Sequence, residues 1–133
     1  MQLIDLIGIQ ASSTDQSRME KFILEELSKL DVHVHVETLP HKGGTMNNYF
    51  ITKGEAESYP TFAAHMDTVH MIHESYSPVT WGDIIFCVSR KGNTVQQVGT
   101  GGDDKCGVYG CYELLRRLPA CKVMLFSFEE SGF

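Results

Sequence analysis

The chain has 133 residues, enough for one domain with a buried core, and its apolar content of 42% is typical of globular proteins. Eleven basic and seventeen acidic side chains give a net charge of −6, which argues against nucleic acid or an anionic membrane as a partner, because both are bound by basic surfaces. The sequence contains no run of about 18 apolar residues, so it predicts no transmembrane helix.

The N-terminus and the cysteines bear on the cellular compartment. Residues 1–5 lack the basic start and apolar core of a signal peptide. Cys87, Cys106, Cys111 and Cys121 contain no Cys-x-x-Cys pair and no spacing expected of a structural zinc site. Reduced thiols and a cytoplasmic location are therefore expected.

The first 30 residues predict two helices. Residues 3–9 carry a short apolar stripe, and a longer amphipathic helix ends at about Leu30. Two pairs have the spacing of a capping box, which satisfies free backbone N–H groups at a helix start: Ser13 with Gln16, and Ser17 with Glu20.

Short apolar or alternating runs predict the strands, which are residues 32–36, 48–52, 61–64, 84–89, 94–98 and 123–126. His33 and His35 alternate with valines, so they are expected to face solvent or a partner. Pro40 and Gly43-Gly44 indicate a turn. The uncharged strand 61–64 is expected in the centre of the sheet.

The second half predicts a long loop, a helix and a final strand. Residues 69–80, rich in His, Ser and Pro, are expected to form a loop. Apolar residues recur at helical spacing from Val108 until Pro119 ends the helix. Strand, helix and strand in succession predict an α/β sheet.

Three stretches that follow short apolar runs carry the candidate chemistry. They are His65-Met66-Asp67, Gly101-Gly102-Asp103-Asp104 at the start of a helix, and Glu129-Glu130 after the final strand. Each is unremarkable alone, since glycine-flanked aspartates form turns and glutamate pairs lie on surfaces. Together they are typical of sites that open α/β sheets build from successive strand ends.

The residue types at these ends suit a pair of metal ions. Zinc takes imidazole and carboxylate ligands and keeps one position open for water in catalytic sites. A carboxylate can bridge two metals, and either Asp103 or Asp104 fits that role at this stage. A histidine ligand also needs a group that fixes its tautomer, and Asp67 stands two residues after His65.

The three motifs in this order resemble the co-catalytic zinc exopeptidases and deacylases, with peptidase T-like tripeptidases most similar. The resemblance implies an α/β three-layer sandwich with a mixed, mostly parallel sheet flanked by helices. It further implies that residues 1–133 are the N-terminal portion of the catalytic domain, truncated at the C-terminus and without the lid or dimerisation domain.

Carried over by position, the resemblance makes His65 a ligand of one metal and Glu130 a ligand of the second, with Asp103 bridging both. Asp67 becomes the partner of His65, and Glu129 becomes the general base. The cofactor implied is two Zn²⁺, with Co²⁺ or Mn²⁺ as possible substitutes. The Asp103–Asp104 peptide bond is expected to be cis.

The resemblance also implies what this stretch lacks, because each metal in the family takes one more ligand from later in the chain. A homo-oligomer or partner chain is one source of those ligands; local replacement by His41, His70 or His73 is another. The final strand is expected to present an open edge to such a partner.

The function predicted is hydrolysis of amide bonds in small peptides by metal-activated water. Three alternatives stay open: an N-acyl amino-acid deacylase, a non-catalytic or split-enzyme fragment that acts by binding a partner, and a peptide or amino-acid binder without turnover.

Overall fold

The computed structural model describes residues 1–41 and 44–131. In chain order its helices and strands are α1 Leu3–Gly8, α2 Ser17–Leu27, β1 His33–His41, β2 Gly44–Lys53, β3 Thr61–His65, β4 Ser77–Trp81, β5 Ile84–Lys91, β6 Thr94–Val98, α3 Gly102–Arg117 and β7 Cys121–Phe126. A 3₁₀ turn, Glu129–Ser131, follows β7 directly. This order matches the predicted sequence of helices and strands except at β4.

The main sheet has four strands in the order β1-β2-β7-β3, and β4, β5 and β6 form a separate antiparallel sheet. β3 pairs in parallel with β7, while β2 pairs antiparallel with both β1 and β7. The predicted α/β class with a mixed sheet is confirmed. Parallel pairing was expected to dominate, but among the described strands of this sheet only β3 and β7 pair in parallel. β1 and β2 follow each other directly in the chain, and such neighbouring strands pair antiparallel.

Two expectations about the interior of the sheet are wrong. β3, predicted to be central, lies at the edge and, among the described strands, pairs with β7 alone. β7, expected to present an open edge, lies between β2 and β3. The uncharged sequence of β3 reflects instead its packing beneath α3, where Ala64 is buried while Ala63 remains exposed.

One face of the main sheet carries the hydrophobic core. Tyr49, Ile51, Val123 and Leu125 project from this face, as their register in β2 and β7 requires. The helical residues buried against them are Leu6, Met19, Ile23, Leu27, Val108, Cys111 and Leu115. All three helices therefore contribute to one core beside this face.

The opposite face is less covered. Phe50, Met124 and Phe126 project from it and are only half-buried, with Phe50 and Phe126 in edge-to-face contact at 6.3 Å between ring centroids. The described helices thus pack on one face of the sheet.

The predicted capping boxes are not formed. α2 begins at Ser17 with Gln16 as its N-cap and without a side-chain cap hydrogen bond. Ser17 donates its hydroxyl to Asp15 Oδ1 instead, and Ser13 lies too far ahead of the helix to cap it. Within residues 1–41 and 44–131, no helix is both long and apolar enough to cross a bilayer.

Two strand boundaries also differ from the prediction. Residues 77–80, expected in a loop, belong to β4, because they pair with β5 across a tight turn. Pro40, predicted to mark a turn, lies inside β1, where an edge position tolerates its missing N–H. Gly44 begins β2, and Gly43 lies outside the described residues.

Candidate metal centre

Three side chains predicted to be metal ligands lie together at one end of the main sheet. His65, Asp103 and Glu130 each offer one ligand atom, and these atoms lie within 4.8 Å of one another. His65 ends β3, Asp103 lies at the start of α3, and Glu130 lies in the turn after β7. In the described part of the chain this is the one such group of histidine, cysteine and carboxylate side chains.

His65 is held by contacts to both of its ring nitrogens. Nδ1 lies 3.0 Å from the backbone carbonyl oxygen of Asp67, and Nε2 lies 3.1 Å from Asp103 Oδ1. Burial alone would lower the pKa of the imidazole, but the hydrogen bonds to Asp103 and to the Asp67 carbonyl outweigh it, so the pKa of His65 is raised. With Nδ1 donating to Asp67, Nε2 is the nitrogen that faces the cluster.

Asp67 is completely buried beneath the cluster. Its Oδ1 accepts the backbone N–H of Glu129 at 3.1 Å, and its Oδ2 accepts the hydroxyl of Ser13 at 2.8 Å and the N–H of Glu130 at 3.3 Å. The carboxylate lies 3.5 Å from Nδ1 of His65, farther than the backbone carbonyl does. Asp67 therefore joins the end of β3 to the turn after β7.

The two neighbouring aspartates differ in their contacts. Asp104 accepts the backbone N–H of His65 through Oδ2 at 3.2 Å and that of Gly107 through Oδ1 at 3.0 Å. Asp103 has a side chain that is 86% exposed and turns towards His65. The bond between them is cis, as the resemblance implies. Of the two aspartates that the spacing left open, Asp103 is the one in the cluster.

Two features fix the start of α3 where Asp103 stands. Gly101 has φ +64°, and a Cβ there would lie 2.7 Å from Thr68 Cγ2, so only glycine fits. Lys105 is buried and donates its ammonium group to the carbonyl oxygens of Ile7 at 3.0 Å and Thr100 at 3.2 Å. Burial lowers the pKa of Lys105 to about 8.

Glu129 stands beside the three-residue group rather than in it. Its side chain is 61% exposed, and its Oε2 lies 3.7 Å from His65 Nε2, beyond hydrogen-bond distance. The backbone of the same residue is held by Asp67. The Glu129 carboxylate thus lies at ion-pair distance from His65 without a hydrogen bond to it.

Sequence reasoning missed two residues of this arrangement. Ser13 was predicted to cap a helix, yet its hydroxyl binds Asp67 from 54 positions away. For Lys105 the sequence predicted no role. A seryl hydroxyl and a lysine carry no local pattern that indicates so distant a contact.

The other histidines lie outside the group. The ring of His70 packs against Gly99, the backbone of His73 bonds with the Gln10 side chain, and the ring of His41 contacts Phe128 at 3.9 Å between centroids. His33 and His35 are exposed on β1, as predicted.

Comparison with solved structures identifies the same fold elsewhere. A tripeptidase from Staphylococcus aureus subsp. aureus Mu50 matches with a TM-score of 0.71 at 23% identity, and the aminopeptidase PepT from Bacillus cereus ATCC 10987 with 0.72 at 22%. Human carnosine dipeptidase 1 matches with 0.65 at 16%. Each match covers 98% of this chain.

The lengths differ greatly, because this chain spans 36% of the tripeptidase and of PepT and 32% of the dipeptidase. No protein-family model and no curated protein matches the sequence. The chain therefore has the fold of part of these tripeptidases and dipeptidases, which confirms the resemblance that its three motifs predicted.

Proposed function

We propose that the chain carries the metal-binding core of a hydrolase that cleaves amide bonds in small peptides, in the manner of an aminopeptidase or tripeptidase. The observation that supports this most is the convergence of His65, Asp103 and Glu130 within 4.8 Å. A fold shared with tripeptidases and dipeptidases supports peptide substrates over other amides.

The donor set fits zinc. One imidazole nitrogen and two carboxylates are ligand types that zinc takes, and two of them on each ion leave positions for water and for ligands from additional polypeptide. His65 and Asp103 would hold one ion, and Asp103 and Glu130 a second, with Co²⁺ or Mn²⁺ as substitutes. When bound, such ions supply Lewis-acid activation of a carbonyl and of water.

The chain's own residues would orient the ligands and move the proton. Asp67 accepts from His65 through its backbone carbonyl, which leaves Nε2 directed at the cluster. Glu129, whose carboxylate oxygen Oε2 lies 3.7 Å from His65 Nε2, would take the proton of the attacking water at Oε2 and pass it to the leaving amine. Asp67 sets the place of Glu129 through the backbone of the turn.

Additional polypeptide would complete the site. Asp103 and Glu129 are largely exposed, β3 is an edge strand among the described strands, and the sheet face that carries Phe50 and Phe126 is half-open. A second copy or a partner chain placed along β3 would cover the cluster and supply further ligands. Size-exclusion chromatography with light scattering tests self-association. A monomer at high concentration would exclude a second copy and favour a different partner chain as the source of the further ligands.

The cellular compartment is part of the same proposal. None of the four cysteines is paired in the structure, and Cys87, Cys111 and Cys121 are buried. The cytoplasm keeps thiols reduced, and we therefore place the protein there. Cell fractionation with an antibody against the chain would check this location.

The test combines zinc binding with turnover. Zinc bound after dialysis is measured for the wild type, Asp103→Ala and Glu129→Gln, and the zinc-loaded proteins are incubated with tripeptides and with N-acetyl amino acids. Asp103→Ala should lose zinc, whereas Glu129→Gln should keep it and lose peptide cleavage. Glu57→Gln, at an exposed carboxylate, is the control.

Each other outcome selects an alternative. No zinc at saturation contradicts the proposal and favours a binding role. Cleavage only of the acylated amino acids identifies a deacylase. Equal cleavage by Glu129→Gln and the wild type removes Glu129 as the general base.

A further inference from the structure

A cavity of about 370 Å³ lies beside the turn that carries Glu129 and Glu130. Among the described residues it is lined by Ser13, Thr14, His41, Gly44, Thr45, Phe128 and Ser131. Its size falls in the range of pockets that bind small ligands. No residue of this lining belongs to the three-residue group of the metal centre.

The cavity and the metal centre share a wall. Phe128 immediately precedes Glu129, and Ser131 immediately follows Glu130, with the N–H of Ser131 donating to the Phe128 carbonyl at 3.2 Å. Ser13, on another part of the lining, donates to Asp67 under the cluster. A ligand that reached the metal centre would therefore lie next to the cavity.

Phe128 is held in an unusual conformation at this wall. Its φ is +62°, in the left-handed region that non-glycine residues rarely adopt. Its ring packs on the imidazole of His41, with centroids 3.9 Å apart and planes 35° apart. Such backbone outliers concentrate at sites that bind ligands.

The chemistry of the lining restricts the occupant. Its described side chains are four hydroxyls and two rings, and none is a carboxylate, an ammonium or a guanidinium group. A charged group that packs against these described side chains gains no opposite charge from them. A neutral group can exchange hydrogen bonds with hydroxyls and pack on the Phe128 ring.

We propose that this cavity is a specificity pocket that receives an uncharged side chain of the peptide whose amide bond lies at His65, Asp103 and Glu130. This inference rests on the proposed function for the position of the peptide. Thr45, which is exposed on β2 and lines the cavity, is the specificity-determining residue in this proposal. A carboxylate at this position would reverse the preference towards cationic side chains.

The test measures binding of four amino-acid hydroxamates, of glutamine, leucine, aspartate and lysine, to the zinc-loaded chain by calorimetry. The wild type should bind the glutamine and leucine probes on the order of tenfold tighter than the charged ones, which is about the value of one good polar contact. Thr45→Asp should gain affinity for the lysine probe, and Thr45→Lys should gain affinity for the aspartate probe.

Thr94 on β6 provides the matched control, because it is an exposed strand threonine outside the cavity lining. Thr94→Asp should leave the order of the four probes unchanged, and all variants should bind zinc like the wild type. Two results would refute the specificity pocket: equal affinity of the wild type for the four probes, or the same order of probe affinities in Thr45→Asp and Thr94→Asp. Neither result would contradict the proposed zinc binding and peptide cleavage.

A second readout separates the two proposals when zinc does not bind. The amides of glutamine and lysine, which lack the hydroxamate, are titrated into the metal-free chain, and the ring signals of Phe128 and His41 are followed by NMR. Selective shifts with the glutamine amide support the pocket even if the metal centre fails. Equal or absent shifts overturn it.

Discussion

The cluster has a buried support and an exposed rim, and these two regions are built differently. The buried support consists of Asp67 and Asp104, whose carboxylates accept backbone N–H groups from three separate segments. The exposed rim consists of Asp103 and Glu129, whose side chains are 86% and 61% exposed. Residues of this chain supply the hydrogen bonds of the support, whereas the side chains of the rim are exposed to solvent.

The contrast assigns stability to one region and ligand binding to the other. Substitutions in the support should unfold the chain or displace the ligands. Substitutions in the rim should change binding and leave the fold intact, because surface changes usually alter stability by less than about 0.5 kcal/mol.

The largest effect is expected for Asp67→Ala. It removes a buried acceptor of three hydrogen bonds and leaves the Ser13 hydroxyl and two backbone N–H groups without that partner. Because each buried donor left unsatisfied costs about 1–3 kcal/mol, the free energy of unfolding should fall by about 3–5 kcal/mol. Urea denaturation measures the change. Asp103→Ala on the rim is the comparison, and an equal loss in both variants would abolish the distinction between the two regions.

Gly107→Ala tests the second half of the support. A Cβ at this position would lie 2.1 Å from Asp104 Oδ1, so the carboxylate must move away from the N–H of His65. Unfolding should cost about 1–3 kcal/mol less, and zinc affinity should fall with it. Gly110→Ala in the same helix meets no atom within 4 Å and should stabilise the chain by about 1 kcal/mol. Equal effects of the two changes would contradict this account.

Gln16→Met probes a buried polar group that neither region uses. The Gln16 side chain is 5% exposed, and its two polar atoms have no hydrogen-bond partner among the described residues. Replacing the amide with an apolar group of similar size should raise the free energy of unfolding by about 1 kcal/mol. A loss of stability in thermal melts would show that the amide has a partner.

The smallest effect concerns pH, and it links the two regions. The pKa of His65 is raised, so the metal-free fold favours the protonated ring, and this contribution to stability is present below the ordinary pKa of 6.5 and is lost as pH rises through the folded value. Zinc needs the neutral ring, so its affinity should weaken as pH falls through the same interval. Calorimetric titrations of zinc at several pH values check this, with His33→Gln at an exposed histidine as control. An effect of pH that persists in His65→Gln would contradict it.

The sequence predicted those features that depend on neighbouring residues. The amphipathic pattern of α2, the alternation in β1 and the helix that stops before Pro119 all follow from local spacing. The convergence of His65, Asp103 and Glu130 was also predicted, because each follows or precedes an element whose ends meet at one edge of the sheet.

Features that depend on distant contacts were not predictable in this way. The position of β3 at the edge of the sheet depends on which strands pair with β7, and no local pattern encodes that choice. β4 forms because residues 77–81 pair with β5. The bond from Ser13 to Asp67 likewise joins segments that only the fold brings together.

The central claim is that His65, Asp103 and Glu130 hold a pair of metal ions, and anomalous X-ray scattering at the zinc edge tests it most directly. Crystals of the chain grown with zinc should show two anomalous peaks, one about 2.0–2.2 Å from His65 Nε2 and an Asp103 carboxylate oxygen, and one about 2.0–2.2 Å from carboxylate oxygens of Asp103 and Glu130. Zinc bound elsewhere, with no peak at these three side chains, would contradict the account.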